Sequence, residues 1–301
     1  MRAVVFDRQG PPDVLRIGEL PVPTPTRGQL RIRVRTGGVQ PFDTLVRRGA
    51  LAVPIRYPQQ LGNEFAGVVD QVGPDAGGWA VGDEVLGWAN MTALAEYAVV
   101  DTDAVVRKPS DMPWETAGAI GASGQTALTA LDDLDVRAGD TLLVHAAAGG
   151  AGSAAVQIAR ARGATVIGTA SSENHEYLRE LGAVPIGYGP GLVDRVRRQV
   201  SGEVDAALDA IGGRALRDSL SLVANPDRIG TLVDHDLAAE LGVRGIRARR
   251  TLAHLYALLE LYQRRLLRVV VRATFPLEAV ADAHRMIESG HGRGKVVISV
   301  C

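Results

Sequence analysis

The sequence predicts an α/β protein in two parts, one rich in short strands and one a parallel sheet with helices on its faces. Three observations predict it. The first third of the chain reads as strands broken by proline and glycine clusters. From Pro113 onward, strands alternate with helical stretches of roughly ten residues, the mark of βαβ units. Between two of those elements lies HAAAGGAG, His145 to Gly152, small residues wedged between TLLV and SAAVQIARA. At 301 residues the chain is too long for the usual single core and fits two domains, 1–112 with 266–301, and 113–265.

In the first part, QLRIRVRTGGV sets Leu30, Ile32 and Val34 against Arg31, Arg33 and Arg35, the period-2 pattern of a half-buried strand. FAGVVDQVG and EYAVV are further strands, separated by turn clusters such as GPDAGG and VGD. Prolines at 11, 12, 21, 23 and 25 exclude a long helix there. PWETAGAIGASGQTALTALDDL then carries a proline and an acid at a helix start, with small and apolar residues at helical spacing. TLLVH, ATVIGTA, VDAALDAIG and RIGTLVD read as strands. GSAAVQIARARG, ENHEYLRELG, a stretch from about Arg214, and TLAHLYALLELYQRR read as helices. A strand in LLRVVVRATF, a helix in PLEAVADAHRMIESG and a strand in KVVISV follow, the last expected to rejoin the β-rich part.

Charge narrows the function classes. The 33 basic and 34 acidic residues leave a net charge of −1, so no strong field draws in nucleic acid or an anionic membrane. The one cysteine, Cys301, excludes an internal disulfide framework and a thiolate metal cluster, and it fits a reducing compartment. MRAVVFDRQG has no basic-then-apolar signal pattern, and no apolar run approaches the roughly 20 residues of a membrane span. The expected location is the cytoplasm.

A strand, a tight small-residue turn and a helix make the setting in which a loop binds a dinucleotide. The backbone must reach the pyrophosphate, and the helix N-terminus then faces it with free N–H groups. The pattern here is Ala147-x-Gly149-x-x-Gly152, with alanine at the first glycine position. The competing reading is a close helix–strand contact with no ligand. An acid about 20 residues after such a loop binds the ribose 2′-hydroxyl and favours NAD. This chain instead has Thr169, Ala170, Ser171 and Ser172 there. No carboxylate repels a 2′-phosphate and two hydroxyls can bond it, so NADPH is favoured. No Lys or Arg stands in that turn.

LVHAAAGGAGSAAVQIARARGATVIGTASS resembles the cofactor segment of the medium-chain dehydrogenase/reductase superfamily, in its zinc-free quinone oxidoreductase branch. GPPDVLRIGELPVPTPTRGQLRIRV is similar to that family's opening strands, GGVQPFDTLVRRG to its active-site turn, and FPLEAVADAHRMIESGHGRGKVVISV to its C-terminal return. The resemblance implies a Rossmann dinucleotide-binding domain inserted in a β-rich, GroES-like catalytic domain, with substrate entering between them. It implies cofactor contacts at Ala148, Gly149, Gly150, Ala151 and Gly152, at Ser171 and Ser172, at Tyr188 beside the 2′-phosphate, and at Ala210 and Ile211.

Zinc-dependent members of the superfamily ligate a catalytic metal at three positions that match Gln40, Asn63 and Ala122, none a credible zinc ligand. Glu64 survives beside them, either for catalysis or as a carboxylate bonding backbone or a basic neighbour. Reducing a simple ketone leaves charge on one alkoxide oxygen, which calls for a Lewis acid or a strong proton donor. Hydride addition to a quinone or a conjugated enone spreads that charge, and a few hydrogen-bond donors suffice. The expected activity is therefore NADPH-dependent, metal-free reduction of a quinone or α,β-unsaturated carbonyl.

Gln40 keeps an amide where the family commonly has Asn near the nicotinamide, and Thr126 matches a threonine lining the nicotinamide ribose. The alternative for Thr126 is a helix hydroxyl bonding the i−4 carbonyl. The family's tyrosine after the active-site turn is replaced by Leu51 and Ala52, with Tyr57 displaced. Tyr57, Asn63, Trp88 and Asn90 are candidates for the substrate cleft, or are packing residues. His145 is expected to be structural, and His175, His284 and His291 to lie on the surface. Two rival functions stay open. One is an enoyl reductase on a CoA- or carrier-bound thioester, with Arg47, Arg48 and Arg56 as a basic entrance or, alternatively, a solvated charged face. The other is an NADPH-binding structural or regulatory protein. Partners are a small-molecule substrate and a second copy of the chain paired through RIGTLVD as an edge strand, with no nucleic acid and no membrane.

Overall fold

The computed structural model describes residues 1–200, 202–290 and 292–300, so His291 and Cys301 lie outside the described residues. The first part contains β1 (Arg2–Phe6), β2 (Arg16–Glu19), β3 (Gln29–Val39), α1 (Pro41–Arg48), β4 (Gln59–Gln60), β5 (Glu64–Val72), β6 (Glu84–Trp88), β7 (Tyr97–Asp101) and β8 (Val105–Arg107). A long helix, α2 (Trp114–Asp133), follows. Then come β9 (Thr141–Val144), α3 (Gly150–Ala161), β10 (Thr165–Thr169), α4 (His175–Glu180), β11 (Val184–Ile186), α5 (Leu192–Gln199), β12 (Ala206–Asp209) and α6 (Arg214–Leu220). The chain continues through β13 (Ile229–Thr231), α7 (His235–Leu241), β14 (Arg244–Gly245) and α8 (Leu252–Gln263) to β15 (Val271–Pro276), α9 (Val280–Glu288) and β16 (Lys295–Ser299).

Three sheets organise these elements. β2-β1-β4 is small, and β15-β16-β3-β5-β6-β8 is the larger antiparallel-rich sheet, with β7 also on β3. The burial of β3 follows its sequence alternation: Leu30, Ile32 and Val34 are buried, and Arg33 between them is exposed. β16 pairs antiparallel with β3, Val296 opposite Val39 through Ser299 opposite Thr36, so the C-terminal strand sits inside the N-terminal sheet. The third sheet is parallel, in the order β11-β10-β9-β12-β13-β14. Its strand order reverses between β9 and β12, and a doubly wound sheet binds ligands in the crevice at that switch point.

The glycines and alanines of α2 let it act as the spine between the sheets. A Cβ on Gly118 would stand 2.3 Å from Thr36 Oγ1 on β3, and one on Gly124 2.6 Å from Leu258 on α8. One apolar core accordingly runs from Ala66, Leu86 and Val106 of the first sheet to Leu142, Val144 and Leu208 of the parallel sheet.

Two expectations change. RIGTLVD is not an edge strand, because β13 is flanked by β12 and β14, and β14 is the edge. The strand expected in LLRVVVRATF is present from Val271, preceded by the cap of α8, in which the N–H groups of Leu266 and Leu267 donate to the Leu261 carbonyl. His284 is fully buried on the inner face of α9 rather than on the surface, and neither ring nitrogen has a hydrogen-bond partner. Burial and the neighbouring Arg47 charge push its pKa down to about 3.

Candidate functional site

The small-residue run forms the turn from β9 into α3. The His145 N–H donates to the Leu208 carbonyl and the Ala147 N–H to the Thr169 carbonyl, tying the turn to both flanking strands. The left-handed conformation falls on Ala146, at φ 53°. Ala147, at the first glycine position, therefore needs no glycine conformation, which explains the alanine. Gly152 is compulsory, because a Cβ there would stand 2.3 Å from the Ala146 carbonyl oxygen. Gly149 caps α3 without a side-chain hydrogen bond, leaving the first-turn N–H groups to an anion.

In front of this turn, at the C-terminal ends of β9, β10 and β12, lies a cavity of about 440 Å³. Ala148 and Gly149 form its floor, and Ser171, Tyr188, Ile211 and Arg214 stand among its walls. Tyr188 and Ile211 are 63% and 66% exposed, apolar surface left open beside a cavity that suits a flat aromatic base. Asp209 fixes the Ile211 turn by accepting the N–H groups of Ile211 and Gly212 and the Thr231 hydroxyl, the last at 2.6 Å. Ser171 Oγ accepts from Asn174 Nδ2 at 3.0 Å. Ser172, Ala210, Gly150, Ala151 and Gly152 stand outside the walls. The glycine cradle and the cavity together fit a dinucleotide. Arg214 is the single Lys or Arg among the described wall residues, delivered by α6 rather than by the Ser171 turn. Its guanidinium also lies 3.5 Å from Asp218. His145 is buried and bonds Ser219 Oγ at 3.0 Å, and burial lowers its pKa.

A second cluster assembles where α1, β5, α2 and β16 meet. Gln40 precedes α1, and its N–H donates to Asp43 Oδ2 at 2.8 Å. Asp43 Oδ1 accepts from the Gly62 N–H at 3.2 Å and Asn63 Nδ2 at 3.1 Å. Glu64 Oε1 accepts from Gln40 Nε2 at 3.2 Å and Lys295 Nζ at 2.7 Å, and Oε2 from the Ala122 N–H at 2.6 Å. Lys295 Nζ also donates to Ser123 Oγ at 3.0 Å. Gly38 makes room for this carboxylate, because a Cβ there would stand 2.2 Å from Glu64 Oε1. Arg250, just before α8, donates from Nη1 to the Asn63 carbonyl at 2.7 Å. Gln40, Asn63 and Ala122 are thus brought together through Asp43 and Glu64, and Glu64 bonds backbone and a basic side chain.

Burial lifts the Asp43 carboxyl to about 6, against the pull of the Gln40 and Gly62 N–H groups and of Lys295. Burial also lowers the Arg250 guanidinium from its ordinary value, opposed by Glu64 and Asp43. Among the described residues no group of three His, Cys, Asp or Glu side chains is placed to hold a metal ion.

Thr126 Oγ1 donates to the Ala122 carbonyl at 2.8 Å, the i−4 bond of a helix hydroxyl. Trp88 is half-buried opposite Glu64 in the β5–β6 register, and Asn63 is buried. Asn90 is exposed, and Tyr57 is exposed with its ring edge-on to Phe6. Arg47 cannot serve a basic entrance, because it is fully buried, paired with Glu288 and bonded to the Gly10 carbonyl. Arg48 and Arg56 are exposed. The sequence reading missed Asp43, Lys295, Arg250 and Arg214. Asp43 had a local signal, three residues after Gln40 at a helix start, while the other three are placed by the tertiary fold alone.

Two family models match the chain, the alcohol dehydrogenase GroES-like domain over residues 26–110 and the zinc-binding dehydrogenase domain over residues 181–298. A quinone oxidoreductase of Homo sapiens is 31% identical, across 99% of this chain and 97% of that protein. The spectinabilin polyketide synthase system protein NorB of Streptomyces orinoci is 34% identical, across 91% of this chain but 13% of that protein. Among solved structures, the quinone oxidoreductase from Coxiella burnetii superposes with a TM-score of 0.91 at 31% identity, covering 100% of this chain and 99% of that one. A mycobacterial protein complexed with NADPH superposes with a TM-score of 0.88 at 29% identity, both chains covered completely. The parallel sheet, the larger antiparallel-rich sheet, the glycine turn and the full-length relatives agree: the chain is an oxidoreductase of the medium-chain dehydrogenase/reductase superfamily, among its quinone oxidoreductase-like members.

Proposed function

We propose that the chain is an NADPH-dependent reductase that delivers hydride to a quinone or an α,β-unsaturated carbonyl without a metal. The observation that carries this reading is the side-chain set at the three converging positions: the amide of Gln40, the amide of Asn63 and the methyl of Ala122. Amides and a methyl are poor zinc ligands, so the charge developing on the acceptor has to be met by delocalisation and hydrogen bonds. Bound NADPH supplies the hydride. The turn at Ala148 and Gly149, with the first turn of α3, holds its pyrophosphate. Tyr188 and Ile211 offer the adenine an apolar seat, and Ser171 and Arg214 support its 2′-phosphate. Gln40 sits at the end of β3 with its amide anchored on Glu64, and so orients whatever lies in the junction between the sheets.

The enoyl thioester reading has its own support in the polyketide synthase relative. Exposed Arg48 and Arg56 are the residues left for a carrier phosphate. A homodimer, if formed through the parallel sheet, uses β14, whose outer edge has no strand partner among the described residues.

The test is oxidation of NADPH, with NADH in parallel, against 1,4-naphthoquinone, an aliphatic enone and an enoyl-CoA. Turnover of the first two supports the reading. Turnover confined to enoyl-CoA selects the second reading, and tight NADPH binding with no turnover on any acceptor overturns both.

A further inference from the structure

Arg250 is held with unusual care for a residue outside every motif in the chain. On both sides of it the backbone is clamped to α2. The Arg249 N–H donates to Thr129 Oγ1 at 3.1 Å, and the Thr251 N–H donates to Gln125 Oε1 at 2.8 Å. Arg249 pairs with Asp133 at 2.7 Å, and Thr251 caps α8 by accepting the His254 N–H at 3.1 Å. The Arg250 side chain is left to cross from the α8 side to the β4–β5 turn, where Nη1 meets the Asn63 carbonyl. That is its one side-chain hydrogen bond among the described residues, and a guanidinium has five N–H donors.

The two acids whose charge Arg250 feels, Glu64 and Asp43, do not take the other donors. Asp43 is occupied by Gln40, Gly62 and Asn63, and Glu64 by Gln40, Lys295 and Ala122. Lys295, the other cation of the cluster, is satisfied by Glu64 and Ser123. Arg250 combines a partly buried charge, a fixed backbone and spare donors. Those donors stand beside Asn63, one of the three converging metal positions, where an oxygen entering from solvent can take them.

We propose that Arg250 is a catalytic residue whose spare N–H groups bind the acceptor's carbonyl oxygen and stabilise the oxyanion. This rests on the reductase reading given above. In the step, the acceptor carbon would form a C–H bond with a hydride given up by reduced nicotinamide, whose own C–H bond breaks to leave NADP⁺. The conjugated π pair shifts onto the carbonyl oxygen, giving an enolate or phenolate. Arg250 meets that charge and stays protonated, since guanidinium does not release its proton in a protein. Water supplies the proton that completes the reduction.

The test uses Arg250→Met and Arg250→Lys in the full chain. In both, the Kd for NADPH, read by fluorescence, stays within about twofold, because the cofactor cavity is elsewhere. With naphthoquinone, kcat falls about 100-fold in Arg250→Met, the usual cost of one oxyanion donor. It falls less in Arg250→Lys, and added guanidinium ion restores part of the loss in Arg250→Met. A second readout needs no turnover. The wild type with NADP⁺ binds 4-nitrophenolate about tenfold more tightly than 4-nitrophenol, a charge-assisted preference that Arg250→Met abolishes. If the wild type reduces quinone and Arg250→Met does so within about threefold, the assignment is overturned. A phenolate preference that is absent from the wild type, or unchanged in the variant, overturns it as well. If no acceptor is reduced at all, the reductase reading fails while the nitrophenolate titration still decides the oxyanion site. Should Arg250→Met fail to fold, Arg250→Lys carries both readouts.

Discussion

The candidate dinucleotide cavity and the junction cluster are built by opposite means. The cavity floor is backbone and small side chains: Ala148, Gly149 and the left-handed Ala146. Small side chains there leave room for a phosphate to approach the backbone. The junction is built from charge. Asp43, Glu64, Lys295 and Arg250 gather from four separate segments, and the first three are buried. A cavity made by omission tolerates no added atom, whereas a cluster made of paired charges tolerates no removed one.

The largest effect therefore belongs to an addition. Gly152→Val is expected to abolish NADPH binding, a loss of at least about a thousandfold in Kd by fluorescence titration, because its Cβ meets the Ala146 carbonyl oxygen. Binding within tenfold of wild type would mean that the turn does not seat the cofactor. The opposite manipulation comes next. Lys295→Met leaves the Glu64 carboxylate buried beside two neutral donors, and the unfolding free energy falls by roughly 3–5 kcal/mol in urea titrations. Adding Glu64→Gln recovers much of that loss, because removing both charges relieves the orphaned one.

pH separates the junction from a buried group elsewhere. The His284 pKa is about 3 in the fold against 6.5 for a free side chain, so the folded state binds fewer protons than the unfolded chain between those values. Its contribution to stability is full above pH 6.5 and is lost as pH falls towards 3, about 5 kcal/mol in all. Asp43 runs the other way. With its carboxyl raised from 3.8 to about 6, its contribution falls as pH rises through that window. His284→Leu, which removes no hydrogen bond, is expected to be increasingly more stable than wild type as pH drops below 6.5. A pH-independent difference between the two would place the acid sensitivity elsewhere. The smallest effect is at the cavity wall. Arg214→Ala should lower the preference for NADPH over NADH by about tenfold, the scale of one exposed charge–phosphate contact, with the NADH affinity unchanged.

How far each region was legible in the sequence follows from how it is built. The phosphate turn was readable because strand, small residues and helix are consecutive. Even the alanine at position 147 is explained once the positive φ is found one residue earlier. The convergence of Gln40, Asn63 and Ala122 was reachable through resemblance, since each position sits in a recognisable segment. Lys295 was visible only as the first residue of a closing strand, and Arg250 as one of four arginines before a helix. Nothing local marks the first as the partner of Glu64 or the second as the donor to Asn63. Arg47 and His284 show the converse error: charge and helical position read as surface, while the α1–α9 packing buries both.

By itself, then, the sequence determined what periodicity and short-range stereochemistry can encode: many of the strands and helices, the parallel sheet and the glycine turn. The tertiary structure alone decided which charges meet. An ion pair such as Glu64 with Lys295 joins residues 231 positions apart. Its energy depends on burial and on distances of a few ångströms, and both are properties of the folded chain rather than of any segment of it.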